Sequence, residues 1–80
     1  MKPGKQNLEI RLTDLISDEM ERRGMTQTEM ALRLRLSGLR MSTTMCNKIL
    51  NNRCRLTIGT FGKICTVLDI PPHELIRQAL

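Results

Sequence analysis

From Asn7 onward the apolar residues recur at helical spacing. Leu8, Leu12, Leu15, Ile16 and Met20 stand on one face of an amphipathic helix. Arg22 and Arg23 fall in its last turn, and Gly24 supplies the left-handed exit. Thr26 opens a second helix, with Glu29 three positions on as the partner in a capping box that satisfies two orphan donors at once. Met30, Ala31 and Leu34 form its inward face; the pattern fades at Leu36, and Ser37-Gly38 is a break. Ser42 is the next N-cap, ahead of a helix from Thr43 to Leu50 that ends at Asn51-Asn52, where Asn tolerates the left-handed region. Two threonines in its first turn are weak helix formers. Packing through Met45, Cys46, Ile49 and Leu50 is therefore expected to hold it. Thr57 caps a fourth helix with Ile58, Phe61, Ile64, Cys65 and Leu68 on its apolar face, and Asp69-Ile70-Pro71-Pro72 stops it. Gly59 and Gly62 each weaken that helix by about 1 kcal/mol relative to Ala, which close packing against a neighbouring helix would explain. A short last helix runs from about His73 to Ala79. No strand pattern, repeat or low-complexity segment interrupts the series.

The fold class expected is therefore all-α, with five helices in one domain over residues 7–80. Residues 1–6, with Pro3, Gly4 and two lysines, read as a mobile basic arm. Eighty residues suffice for a single modest core.

Charge adds a direction to this outline. The net charge is +5. Between Met30 and Leu68 lie Arg33, Arg35, Arg40, Lys48, Arg53, Arg55 and Lys63, with no Asp or Glu among them. The acids Glu9, Asp14, Asp18, Glu19, Glu21 and Glu29 collect at the front. One half of the domain should present a positive field to a polyanion. Phe61 is the single aromatic residue, which argues against single-stranded nucleic acid, whose binders stack bases on aromatic faces. Duplex DNA needs no such faces.

Cys46, Cys54 and Cys65 make an odd count, and the N-terminus carries no apolar run of signal-peptide length. The expectation is a soluble cytoplasmic chain with reduced thiols, bound to no membrane. With His73 these cysteines lack the close pairs of a structural zinc site, so neither metal nor cofactor is expected. One His, no Gly-rich phosphate loop and no pair of titratable residues in a plausible pocket leave an enzyme the weakest reading.

The third helix carries the functional argument. Cys46 and Ile49 would face the core, so Thr43, Thr44, Asn47 and Lys48 can point outward together. A helix fits the major groove of B-DNA, where base edges present distinct donor and acceptor patterns. Hydroxyl, amide and ammonium groups in its N-terminal half suit that task.

At this point the chain resembles the Cro- and lambda-repressor-like helix-turn-helix family, over roughly residues 8–77. The second helix opens Thr26-Gln27-Thr28-Glu29-Met30-Ala31, similar to the family's Thr/Ser-Gln and hydrophobic-Ala run. Asn47-Lys48-Ile49-Leu50-Asn51-Asn52-Arg53 stands where the family ends its recognition helix, with Asn52 in place of the usual glycine. Thr57 to Ile70 matches the fourth-helix block without a gap, and Glu74-Leu75-Ile76 continues it. The stretch from Gln27 to Cys46 is longer than the family's spacing. Either the 36–41 turn is enlarged, with Arg40 carried toward DNA, or the second helix is longer. The resemblance implies a lambda-repressor-like domain with a central helix-turn-helix and double-stranded DNA as partner. It assigns Gln27 to a phosphate; Thr43, Thr44 and Lys48, with Asn47 beside them, to bases or adjacent phosphates; and Arg53 and Arg55 to the DNA backbone, with Arg40 and Ser42 also expected to be DNA-binding. The function expected is a transcriptional regulator, most simply a repressor. The alternative is an antitoxin that binds a small toxin protein and represses its own operon. A homodimer is expected, either through Leu75, Ile76, Ala79 and Leu80 or with those residues closing the domain's own core.

Overall fold

The computed structural model describes residues 7–80, which form five helices and no strand: α1 (Leu8–Arg23), α2 (Gln27–Leu36), α3 (Thr43–Leu50), α4 (Ile58–Leu68) and α5 (Pro72–Ala79). The arm expected at residues 1–6 lies outside the described residues. Four helix starts are set by side-chain caps. The oxygens of Asn7, Thr26, Ser42 and Thr57 accept from the backbone N–H three residues on, at 3.0, 3.1, 3.0 and 3.2 Å. The ends use left-handed residues: Gly24 (φ 69°) after α1, Asn52 (φ 63°) just past α3 and Asp69 (φ 58°) after α4. Pro71 and Pro72 start α5, where a missing N–H costs nothing.

One core joins all five helices. Ile16, Met30, Ala31, Leu34 and Leu68 are fully buried, with Leu12, Met20, Ile49, Leu50, Ile64 and Leu75 around them. Helix α1 packs on α5 and α3, α2 on α3 and α4, and α4 on α5. The two short elements of the helix-turn-helix, α2 and α3, therefore rest on a three-helix scaffold.

Several expectations need correction. Ile58 is 88 % exposed, because the first residue of α4 points away from the core; buried Thr60 takes a place on the inward side instead. Met45 is 40 % exposed, so α3 is held through Cys46, Ile49 and Leu50 without it. The capping box is half made: Thr26 caps the Glu29 N–H, while the Glu29 carboxylate turns to Arg33 at 3.2 Å. A Cβ at Gly59 or Gly62 would meet no atom within 4 Å, so close helix packing does not account for these glycines. Leu75 and Ala79 are buried in the domain's own core, leaving Ile76 half-buried and Leu80 82 % exposed.

Candidate nucleic-acid interface

Helix α3 has eight residues and no exceptional helix propensity, so its orientation comes from its neighbours. Cys46, Ile49 and Leu50 anchor its inner side. Thr44, Asn47 and Lys48 are exposed on the outer side, and Thr43 is half-buried at the first turn. The Ser42 hydroxyl oxygen accepts from Met45 N–H, which fixes the helix start and leaves the Ser42 hydroxyl hydrogen free to donate.

Gln27, at the first position of α2, lies beside α3. Asn47 Nδ2 donates to Gln27 Oε1 at 2.9 Å, joining the two helices at their exposed edge. That bond leaves the Gln27 amide hydrogens and the Asn47 side-chain oxygen Oδ1 for an outside partner. Asn51 Nδ2 donates to the Asn47 carbonyl at 3.0 Å, closing the end of the helix.

Helix α2 stops at Leu36, and residues 37–42 connect it to α3. Leu39 is half-buried and Met41 buried, so this connection is packed against the core along part of its length. Arg35 Nη1 donates to the Met41 carbonyl at 2.6 Å, tying the loop back to α2. Arg40 stays exposed and shares an open hollow with Arg35, Ser42 and Met45 at the start of α3.

Past the other end of α3, Asn52 adopts the left-handed conformation, with φ 63°. Its side chain explains how Asn serves there. The hydroxyl of fully buried Thr13 is 3.1 Å from Asn52 Oδ1 and 2.9 Å from the Ile10 carbonyl, so the turn is tied to α1. Glu9 adds a second tie by accepting from Leu56 N–H at 2.7 Å. Arg53 and Arg55 are both exposed on this fastened loop, and Arg53 N–H donates to the Lys48 carbonyl at 2.7 Å. The expected contact residues thus form one neighbourhood around α3: Gln27, Thr44, Asn47 and Lys48 on its outer edge, Arg40 and Ser42 at its start, Arg53 and Arg55 beyond its end. Sequence reasoning missed Met45 in this neighbourhood; its apolar type suggested core.

Charges divide the same way. Among the described residues four ion pairs form: Glu19 with Arg22 and with Arg23, Glu29 with Arg33, and Glu74 with Arg77. None uses Arg40, Lys48, Arg53, Arg55 or Lys63. The hydrogen bond from Arg23 and the charge of Arg22 hold the Glu19 carboxyl below its ordinary range, and bonds from Arg77 and Gln78 do so for Glu74. Burial pushes the Cys46 and Cys65 thiols up, so both stay neutral small hydrophobes. Among the described residues no cluster of three or more His, Cys, Asp or Glu could hold a metal, and no helix is long and apolar enough to cross a membrane.

Comparison with known proteins agrees with this geometry. Residues 15–77 match the family model of the Cro/C1-type HTH DNA-binding domain, which takes in α2, α3 and α4 entire and most of α1 and α5. No individual curated protein and no solved structure matches the chain.

Proposed function

The chain belongs to the family of Cro/C1-type helix-turn-helix DNA-binding domains, and on that premise we propose that it is a sequence-specific transcriptional repressor acting in the cytoplasm. It places α3 in the major groove of duplex DNA. The observation that carries this reading is the outer edge of α3. Thr44, Asn47 and Lys48 project from a helix whose other side is buried, and cations without acid partners stand at both ends. In this reading Lys48, Thr43, Thr44 and Asn47 meet base edges or adjacent phosphates. Gln27, Ser42 and Arg40 hold phosphates on the α2 side, and Arg53 and Arg55 hold the backbone beyond the helix.

One eight-residue recognition helix supplies few contacts. We therefore assign a homodimer to a two-fold symmetric site, with half-site centres about 34 Å apart. Ile76 and exposed Leu80 remain available for its interface. Selection of bound sites from random duplex DNA tests the function. Enrichment of an inverted repeat is expected, and a pool that stays random overturns it. A selected site without symmetry, protected by one protein copy, would remove the dimer and leave the α3 reading standing. On the selected site Arg53→Ala and Arg55→Ala should each make the slope of log K against log salt shallower by about 0.9.

A second reading, the antitoxin, draws on Leu32 and Leu36, exposed four residues apart on one face of α2 and available to a protein partner. A defined small toxin encoded beside this chain, binding it with unit stoichiometry, would decide for that reading; Leu36→Asp should then abolish the complex and spare DNA binding.

A further inference from the structure

Met45 is the apolar member of an otherwise polar edge. An α-helix turns about 100° per residue, so the buried side chains of Cys46, Ile49 and Leu50 leave Asn47, Thr44, Lys48 and Met45 in that order around the outside. Asn47 borders α2 through its bond to Gln27. Met45 forms the opposite border, in the open hollow with Arg35, Arg40, Met41 and Ser42. The walls of that hollow are fixed: Arg35 is bound to the Met41 carbonyl, and the Ser42 oxygen accepts from Met45 N–H. An unbranched thioether side chain, 40 % exposed, thus stands beside free Arg40 in the first turn of α3. Water is a poor neighbour for it. The major groove offers one apolar group on its base edges, the C5 methyl of thymine, and a flexible, polarizable Met adapts readily to such a contact.

We propose that Met45 is a specificity-determining residue that packs against the C5 methyl of one thymine at the border of the site, beside the phosphate held by Arg40. This rests on the major-groove reading of α3 and adds to it one residue and the identity of one base.

The test uses the duplex recovered by selection and a set in which each thymine in turn is replaced by uracil, which removes the methyl group and leaves the pairing unchanged. Wild-type protein should bind the duplex altered at that thymine, in either half-site of a symmetric site, about fourfold more weakly, the worth of burying one methyl. Met45→Ala should bind the thymine and uracil forms at that position equally, and Met45→Leu should keep the discrimination. Met45 is partly exposed and outside the core, so thermal melting should show both variants folded. Unchanged wild-type affinity across every uracil duplex, or undiminished discrimination by Met45→Ala, overturns this proposal and leaves the reading of α3 intact. Failure of the wild-type protein to select any duplex overturns both.

Discussion

The surface around α1 and α5 and the surface around α3 carry similar kinds of residue and treat them differently. On α1 and α5, Arg22, Arg23 and Arg77 each find a glutamate within one turn, and Arg11 donates to the Ala79 carbonyl at 3.1 Å. Around α3, Arg40, Lys48, Arg53 and Arg55 form no ion pair among the described residues, and the one acid near Arg53 and Arg55, Glu9, is turned to Leu56 N–H. The positive field is therefore concentrated by where the acids are placed as much as by where the bases are. The polar ties follow the same division: Thr13 and Glu9 of α1 hold the loop that carries Arg53 and Arg55, so the scaffold spends its polar groups on positioning the other surface.

The comparison breaks most visibly if the core that joins α2 to the scaffold is cut. Leu34→Ala, at a fully buried site beneath α2 and α3, should destabilise the domain by about 2–5 kcal/mol in denaturant unfolding. A loss below about 1 kcal/mol would mean that α2 contributes little to the core. Next in size, Cys65→Ser buries a hydroxyl on the inner side of α4 and should cost about 1–3 kcal/mol, while Cys54→Ser, only half-buried, should be nearly neutral. Equal melting temperatures for the two variants would contradict the packing assigned to Cys65. In the opposite direction, Gly59→Ala and Gly62→Ala have room for the added methyl and should each stabilise by up to about 1 kcal/mol. Destabilisation would reveal a close contact to those glycines that this structure does not show.

The smallest effect expected concerns the paired carboxylates. Glu19 and Glu74 have lowered pKa values in the folded state, so their contribution is complete above the ordinary carboxylate range and is lost as pH falls through the lowered values. Melting temperature followed from neutral to acid pH should fall in that window, and Glu19→Gln should flatten the fall slightly. An unaltered profile would show that the α1 pairs are decorative.

Much of this division was legible in the sequence, and the reasons are local. Thr26, Ser42 and Thr57 stand ahead of apolar runs and cap as expected, and the structure adds Asn7 as a fourth cap; Gly24 and Asn52 take left-handed positions as expected. The acid-free stretch from Met30 to Leu68 needed only counting. Periodicity failed at helix borders and in the loop. Ile58 and Met45 share the apolar type of their helices' inner sides, but which border residue is covered depends on the neighbouring element. Met41 and Leu39 sit in a connection without a period, and Thr13 is fully buried because its hydroxyl finds two acceptors, one of them 39 residues away. At the site, the residue types were readable, whereas the Asn47–Gln27 bond and the loop's ties to α1 depend on the packed fold.

The central claim is that the outer edge of α3 reads bases. Its most direct test is the affinity of Lys48→Ala and Thr44→Ala for the selected duplex and for a scrambled duplex of equal length at one salt concentration. A loss of about 1–3 kcal/mol on the selected duplex, with little change on the scrambled one, is the expected result. Equal losses on both duplexes would show that Lys48 and Thr44 touch only the phosphate backbone, and would contradict the claim.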